Sequence, residues 1–465
     1  MPPARTATVE IARLNLDGDG VAVLEGRELR VPQVLPGERV AIRVRPRGDR
    51  IEADLAEVLA PSPHRVRPRC PHFGPCGGCA WQHVDYAEQL RLKQRLLQDL
   101  LDASVGPSAP RVSATVPSPA DGPGPTPWGY RDKVSFTFAP GEGRAPLVMG
   151  HYRRGSRRVL PVAECPVHAE AGNRLAFALH DALVRGRIPG ATPDATAGIA
   201  RHVVVRAAET TGEWIATLVA TANVKALRRV TADFLSSAAG EAGRGGFHLN
   251  LHGRDDPFLF GPETRRLHGA SEIRERVAGV TFLLAPTAFF QTNVRVAERM
   301  VQHVLAALTP AAFPRVLDLY SGVGLFALPL AAAGAEVTSV EENRSAVAGA
   351  EAARRFNRLP ASRLKLVGGR VEDATARLAP RAAGAPFDAV VLDPPRQGCP
   401  PAVLAWILER LRPRGVAYVS CNPAALAGDL RGALARGYRA DSVVPFDMFP
   451  HTAHIESIAL LSRVS

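Results

Sequence analysis

A cysteine, a glutamate and a glycine-bearing turn hold most of the chemistry legible in this chain. Cys421 stands in Ser420-Cys-Asn-Pro423, at the end of a strongly apolar run. Glu456 closes His454-Ile-Glu456, where the last apolar run begins, and Asp393-Pro-Pro-Arg396 ends another. A thiolate is a potent nucleophile even as a minor fraction of the thiol. A carboxylate on an inward face can serve as a general base, and a loop stiffened by two prolines can hold a flat ring. The fourth stretch, Asp318 to Gly324, reads as strand, tight turn and helix start, with Tyr320 inside the turn. Gly322 and Gly324 let the backbone approach a ligand closely. Glu341 ends the following strand, about twenty residues on, where a carboxylate accepts hydrogen bonds from a ribose diol. Together these groups suit transfer of an activated one-carbon unit to a ring that a thiolate has attacked. The plainer alternatives are a buried structural cysteine, an ordinary strand-to-helix turn and a solvated carboxylate.

Two cofactors compete for the turn. A dinucleotide fingerprint seats a pyrophosphate against the helix, and Ala327 satisfies its third small position. Asp318, however, precedes the turn, and an anion there repels phosphate and attracts an amine or sulfonium. That charge argument favours S-adenosylmethionine over NAD. A separate cluster, Cys70, Cys76 and Cys79 with Cys165 far downstream, supplies four thiols. Zinc and an iron–sulfur centre both accept four thiolates, and the spacing does not separate them.

These residues need a scaffold of more than one core, because 465 residues exceed the size at which single cores stop growing. Runs at Val316–Tyr320, Val337–Glu341, Leu364–Val367, Ala389–Asp393 and Val416–Cys421 alternate with helical segments. The pattern predicts a doubly wound α/β domain over 281–465, with Tyr438–Phe446 and Ile455–Leu461 as an antiparallel edge pair. Residues 1–60 read as five short strands of an oligonucleotide-binding type of barrel, with Arg39, Arg43, Arg45, Arg47 and Arg50 crowded on it. Residues 61–81 and 128–280 read as a β-rich central domain holding the four cysteines. Residues 82–127 read as a helix and linker packed on the catalytic domain. The net charge of +12 favours a polyanionic partner. No apolar run reaches membrane-spanning length, the N-terminus lacks a secretory apolar region, and the six cysteines form no disulfide pattern; a cytoplasmic protein is expected.

With these motifs in order, the chain resembles the RNA uracil-C5 methyltransferase family. Phe289-Phe-Gln291-Thr-Asn293, Asp318–Gly324, Glu341, Asp393-Pro-Pro-Arg-Gln-Gly398, Ser420-Cys-Asn-Pro423 and Phe449–Glu456 each match. Tyr130-Arg-Asp-Lys133 and Tyr152-Arg-Arg-Gly-Ser156 match near Cys165, and Leu35-Pro-Gly-Glu38 matches the family's RNA-binding TRAM barrel. The resemblance implies a Rossmann-like S-adenosylmethionine-dependent methyltransferase domain behind an OB-like barrel and a β-rich middle. It implies Cys421 as nucleophile and Glu456 as base. It places Gln291, Asp318, Tyr320, Gly322, Gly324, Glu341 and Asp393 along the cofactor and the substrate edge. It also implies a [4Fe–4S] cluster on Cys70, Cys76, Cys79 and Cys165, and RNA as substrate, with 23S ribosomal RNA expected and transfer RNA as the alternative. Residues 369–373 depart from the family's variants and receive no role. A cytosine-directed enzyme and a non-catalytic RNA-binding protein are the remaining readings.

Overall fold

The computed structural model describes residues 5–47, 50–120, 124, 126–141, 143, 145–238, 244–378 and 387–464. Four positions of the 104–127 loop, and the side chains of Arg47 and Arg50, lie outside the described residues.

Six strands, not five, build the N-terminal unit: β1 (Arg5–Glu10), β2 (Arg13–Leu14), β3 (Gly20–Leu24), β4 (Arg27–Val31), β5 (Arg39–Arg47) and β6 (Arg50–Ala60). They form two three-stranded antiparallel sheets, β1-β5-β6 and β2-β3-β4, closed on one core of Val9, Ile11, Leu29, Val31 and Ile42. The two-residue β2 is too short to leave an alternating signal. On β5, Val40, Ile42 and Val44 point inward, so Arg39, Arg43 and Arg45 stand exposed on the other face.

The barrel is anchored to the rest of the molecule at Trp81. This ring is fully buried, donates Nε1–H to the Gly18 carbonyl at 3.0 Å and packs with Leu14, Leu35, Leu92 and Ala453. Gly18 has φ +85°, and a Cβ there would lie 2.7 Å from both Trp81 Nε1 and the Ala453 Cβ. Only glycine fits that joint.

The central domain is a seven-stranded sheet in the order β13-β12-β11-β10-β7-β8-β9. Its strands are β7 (Lys133–Pro140), β8 (Leu147–Tyr152), β9 (Val159–Pro161), β10 (Ala200–Ala207), β11 (Trp214–Ala220), β12 (Gly245–Leu251) and β13 (Glu263–Gly269). Helices α2 (Glu170–Arg185) and α3 (Leu227–Ala238) pack together; their apolar stripes share one core with the sheet. The hairpin β14 (Ile273–Val277) and β15 (Val280–Leu284) leads to the C-terminal domain.

That domain carries a second seven-stranded sheet in the order β18-β17-β16-β19-β20-β22-β21. Strands β16 (Arg315–Leu319), β17 (Glu336–Glu341), β18 (Leu364–Gly368), β19 (Ala389–Leu392) and β20 (Gly415–Ser420) are parallel. The last strand, β22 (Glu456–Arg463), is antiparallel to both β20 and β21 (Tyr438–Phe446) and inserts between them. Covered on both sides, β22 is buried along most of its length and runs Ile458-Ala-Leu-Leu461 without a polar break, which is why its alternation is weak in the sequence. The helices are α4 (Val294–Ala307), α5 (Ala327–Ala332), α6 (Arg344–Phe356), α7 (Val371–Arg377), α8 (Pro401–Ala405) and α9 (Pro423–Leu434).

Residues 86–118 belong physically to this last domain. Helix α1 (Tyr86–Val105) is capped by the Asp85 side chain on the Glu88 amide, and its Leu97 and Leu101 pack with Leu426 and Leu430 of α9. The chain then runs parallel to β21, with Ser113 N–H to Val443 O at 2.9 Å and Val116 N–H to Pro445 O at 2.8 Å. Lys93 Nζ meets Asp447 Oδ1 at 2.6 Å, both side chains without exposed surface, and Tyr86 Oη donates to the other Asp447 oxygen at 2.7 Å. No helix among the described residues is long and apolar enough to cross a membrane. Breaking a buried ion pair strands the other charge, so Lys93→Met is expected to cost about 3–5 kcal/mol. Urea unfolding followed by tryptophan fluorescence measures this, and an unchanged midpoint contradicts it.

Candidate active site

The parallel strands end along one rim, and a cavity of about 1100 Å³ opens above it. Strand β16 ends at Leu319, and the chain turns sharply there: Tyr320, Gly322 and Gly324 have φ of 60°, 55° and 86°. Tyr320 bears the cost of a left-handed backbone without being glycine. Glu341, at the end of β17, accepts from Gly322 N–H at 2.9 Å with one oxygen and from Asn343 N–H at 2.7 Å with the other. The carboxylate that sequence assigns to a ribose therefore also braces the turn. Ser321 Oγ shares a 2.5 Å hydrogen bond with Ser339 Oγ beneath it.

Cys421 follows β20 directly and is half-buried on the cavity wall. Asn422 caps α9, accepting from Ala424 N–H at 3.0 Å, and its Nδ2 donates to the Arg396 carbonyl at 2.7 Å. That bond ties the cysteine loop to the proline-rich loop bearing Asp393. On the far side, Gln291 is buried to 8% exposure and lines the same space. Its segment is held by Asp132, whose carboxylate accepts from Val294 N–H at 3.0 Å, and by Asn293, whose Nδ2 donates to Ser118 Oγ at 3.0 Å and to the Met448 carbonyl at 3.2 Å. Glu456 opens β22 at 4% exposure. The strand is led in by a segment that helix α1 grips. Lys93 donates to Phe449 O at 3.1 Å, and Gln89 Oε1 accepts from His451 N–H at 2.8 Å. Tyr130 Oη donates to Pro450 O at 3.0 Å, and His451 carries φ 65°.

Cys421, Glu456, Asp393, Gln291, Tyr320, Gly322 and Glu341 thus face one space. Asp318 does not. It lies buried beneath the turn, where burial first and then the Asp393 carboxyl hold its pKa well above the ordinary carboxylate range. The charge argument that prefers a sulfonium over a phosphate therefore loses its anion in the ligand-free chain, because desolvation keeps the proton on. Gly324 does not line the cavity either: it sits inside the turn at φ 86°, where a Cβ would lie 3.2 Å from the Leu328 side chain. Several wall residues had no role in the sequence reading. Arg370, Val371 and Glu372 border the turn side, although residues 369–373 match no expected pattern. Phe289 is 71% exposed at the mouth, and Arg131 lies over the Phe449 ring at 5.7 Å. In the sequence Arg131 stands in Tyr130-Arg-Asp-Lys133, at the start of β7.

Electrostatically, the pocket favours protonated groups. Burial lifts Asp393 to about 7 and, with the Asp393 carboxyl adding to it, lifts Glu456 to about 8. Burial first, then Glu456 and Asp393, raise the Cys421 thiol, and Arg396 pulls it down. A cationic ligand would relieve all three. The pocket also has room for one: a Cβ at Gly322 would touch nothing within 4 Å, so the turn forms an open cradle.

The four clustered cysteines face a second cavity, of about 790 Å³, in the central domain. Gly77 N–H to Tyr152 O at 3.0 Å pins the Cys76–Cys79 loop to β8, and Gly78 N–H donates to Cys76 Sγ at 3.4 Å. All four thiols are free and raised in pKa, burial being the main cause. The four thiols line one cavity without gathering as a metal-sized ligand set; among the described residues the one such set is His151, Cys165 and His168.

Comparison with known proteins supplies the family. The model of the tRNA (uracil-5-)-methyltransferase family matches residues 263–464. An RNA methyltransferase of Thermosynechococcus vestitus is 36% identical over 98% of this chain and 98% of its own. One from Halalkalibacterium halodurans is 32% identical over 97% of this chain and 96% of its own. The chain belongs to the RNA uracil-C5 methyltransferase family. Among solved structures, the tRNA (uracil-54, C5)-methyltransferase of Pyrococcus abyssi, in complex with S-adenosyl-L-homocysteine, superposes with a TM-score of 0.75 at 26% identity. That match covers 98% of this chain and 100% of the archaeal one. Members of the family take their methyl group from S-adenosylmethionine, which settles the choice against NAD.

The Cys421 surroundings give a signed expectation for the free protein. An ionised Glu456 disfavours the thiolate and Arg396 favours it. At pH 8, Glu456→Gln should therefore speed alkylation of Cys421 by iodoacetamide, and Arg396→Ala should slow it, each by about threefold or more. Mass-spectrometric rates at Cys421 measure both, and equal rates in all three proteins contradict the electrostatic assignment.

Proposed function

We propose that the protein methylates C5 of a uridine in RNA through a covalent adduct between Cys421 and C6 of the base. One observation carries this: the Cys421 thiol, the Glu456 carboxyl, Asp393 and the cofactor turn at 320–322 face the same cavity. S-adenosylmethionine, when bound, supplies an electrophilic methyl group. Gly322 and its neighbours would seat it, with Glu341 accepting from the ribose and Gln291 and Asp393 bordering the reacting end.

The protein's own groups would then act in sequence. Cys421 loses its proton, aided by Arg396, and its sulfur bonds to C6 as the C5–C6 pair shifts toward O4. C5 thereby gains the electron density to take the methyl group. Glu456, ionised, removes the remaining C5 proton; the C5–C6 double bond re-forms and the thiolate leaves. Both groups must be deprotonated, and both have raised pKa values in the ligand-free protein, so kcat/KM, which reports the free protein, should rise with pH through about 8. Phe289, Arg131 and Phe449 at the mouth suit a base swung out of its stack. Exposed Arg39, Arg43 and Arg45 on the barrel suit phosphate contact by a TRAM domain at residues 1–60. Cys70, Cys76, Cys79 and Cys165 would hold a [4Fe–4S] cluster with a structural role, because the reaction has no electron-transfer step.

We assign 23S ribosomal RNA as the substrate, on the likeness of the four-cysteine pattern to family members of that class. Transfer RNA is the second reading, favoured by the likeness to the Pyrococcus abyssi tRNA (uracil-54, C5)-methyltransferase. Unmodified transcripts of both classes should separate them: methyl incorporation into 23S RNA with 5-methyluridine as the product is expected. Incorporation only into transfer RNA would overturn the substrate assignment, and 5-methylcytidine would overturn the base. Cys421→Ala should bind S-adenosylmethionine normally and transfer no methyl group. Glu456→Gln should trap a protein–RNA adduct visible on denaturing gels; normal turnover without adduct removes Glu456 from its role.

A further inference from the structure

Cys165 has neighbours that a four-thiolate centre leaves unused. One ring nitrogen of His151, one of His168 and the Cys165 sulfur all lie within 4.8 Å of one another. His151 sits on β8, and His168 lies in the turn just before α2. Among the described residues, His151 Nε2 and His168 Nδ1 are buried and make no hydrogen bond. Buried polar nitrogens without partners are uncommon and need a cause.

Packing fixes both rings. Phe136 stacks on His151 at 4.8 Å and meets His168 edge-on at 5.0 Å, and the two imidazoles cross at 5.3 Å. The Cys165 backbone is fixed as well: its carbonyl accepts from Asn173 Nδ2 at 2.9 Å and from His168 N–H at 3.1 Å. Donors held this way lose little entropy on binding an ion. All three side chains open onto the cavity that the other cysteines line, which leaves an entry path.

We propose that His151, His168 and Cys165 form a tripod for one divalent cation of the zinc class, its fourth position open to the cavity, and that this ion competes with the four-cysteine centre for the Cys165 thiolate. Two imidazoles and a thiolate are a donor set that zinc takes tetrahedrally. Burial keeps both imidazoles neutral, which is their ligating form: it lowers His151 to about 4 and His168 well below the ordinary range. One sulfur cannot close a four-iron cluster and also complete the tripod, so the metal form of the chain depends on which ion reaches Cys165 first. Only that competition rests on the four-thiolate reading; the tripod does not.

The test uses the full-length chain, freed of iron and zinc under anaerobic conditions, titrated with Co²⁺ alone. About one equivalent should bind, with a thiolate-to-cobalt band in the near ultraviolet and the strong visible bands of tetrahedral Co²⁺. His151→Ala and His168→Ala should each weaken binding by about tenfold or more, and Cys165→Ser should abolish the near-ultraviolet band. Cys70→Ser should leave affinity within about twofold. Loss of binding in Cys70→Ser with no effect of either histidine change would place the ion on the four thiols and overturn the tripod. Paramagnetically shifted proton signals from two imidazoles in the wild-type cobalt form need no variant, and their absence overturns it equally. Equal amounts of ferrous and ferric ion with sulfide should displace the cobalt; stoichiometric retention of both metals would overturn the competition. If iron fails to bind at all, the cluster assignment falls while the tripod stands.

Discussion

Lys93 and Asp447 meet in the interior, 354 residues apart in the chain and with no exposed side-chain surface between them. The pair is satisfied on several sides, by Tyr86 on the carboxylate and by the Phe449 carbonyl on the ammonium. An ion pair so dry is tolerated only when its remaining donors and acceptors find partners, and its value lies in geometry more than in net stability. Here it fixes the segment 447–451 against α1. That segment launches β22 and so aims Glu456 into the crevice. Gln89 and Tyr130 grip the same segment from two further directions. The general base of the proposed reaction thus takes its position from a helix formed early in the chain.

The second organising constraint is dryness. Asp393, Glu456 and Cys421 share a recess whose walls exclude much of the solvent, so each keeps its proton more tightly than in water. The proposed thiolate chemistry needs a counter-charge, and Arg396 is the resident one. A bound sulfonium would add another. Pre-arranged groups of this kind need no large rearrangement at the moment of reaction.

Much of this was legible in the sequence where local rules govern. The five parallel strands end within about one residue of their apolar runs; Gly369, Pro394 and Pro423 stand just past three of them, while β17 runs into the Asn343 cap of α6. Cys421, Asp393 and Glu341 stand at such ends, whereas Gln291 is legible only through the family resemblance. The misses are long-range. Nothing local places β22 between β20 and β21, since that order depends on how the final strand returns. Asp318 looked like an exposed anion because its charge is visible in the sequence and its burial is not. Arg370 and Glu372 reach the cavity only because the loop after β18 folds over it. His151 and His168 sit seventeen positions apart in unremarkable contexts, and only the fold brings them to Cys165.

The seam between α1 and α9 has a consequence for how the protein is made. A ribosome releases Leu97 and Leu101 long before Leu426 and Leu430 exist, and the ledge at residues 112–116 likewise waits for β21. Leu92 can meet Trp81 and the barrel early, but Leu97 and Leu101 have no α9 to pack on until late in synthesis. Newborn chains therefore carry part of this apolar stripe without its final cover for most of their translation.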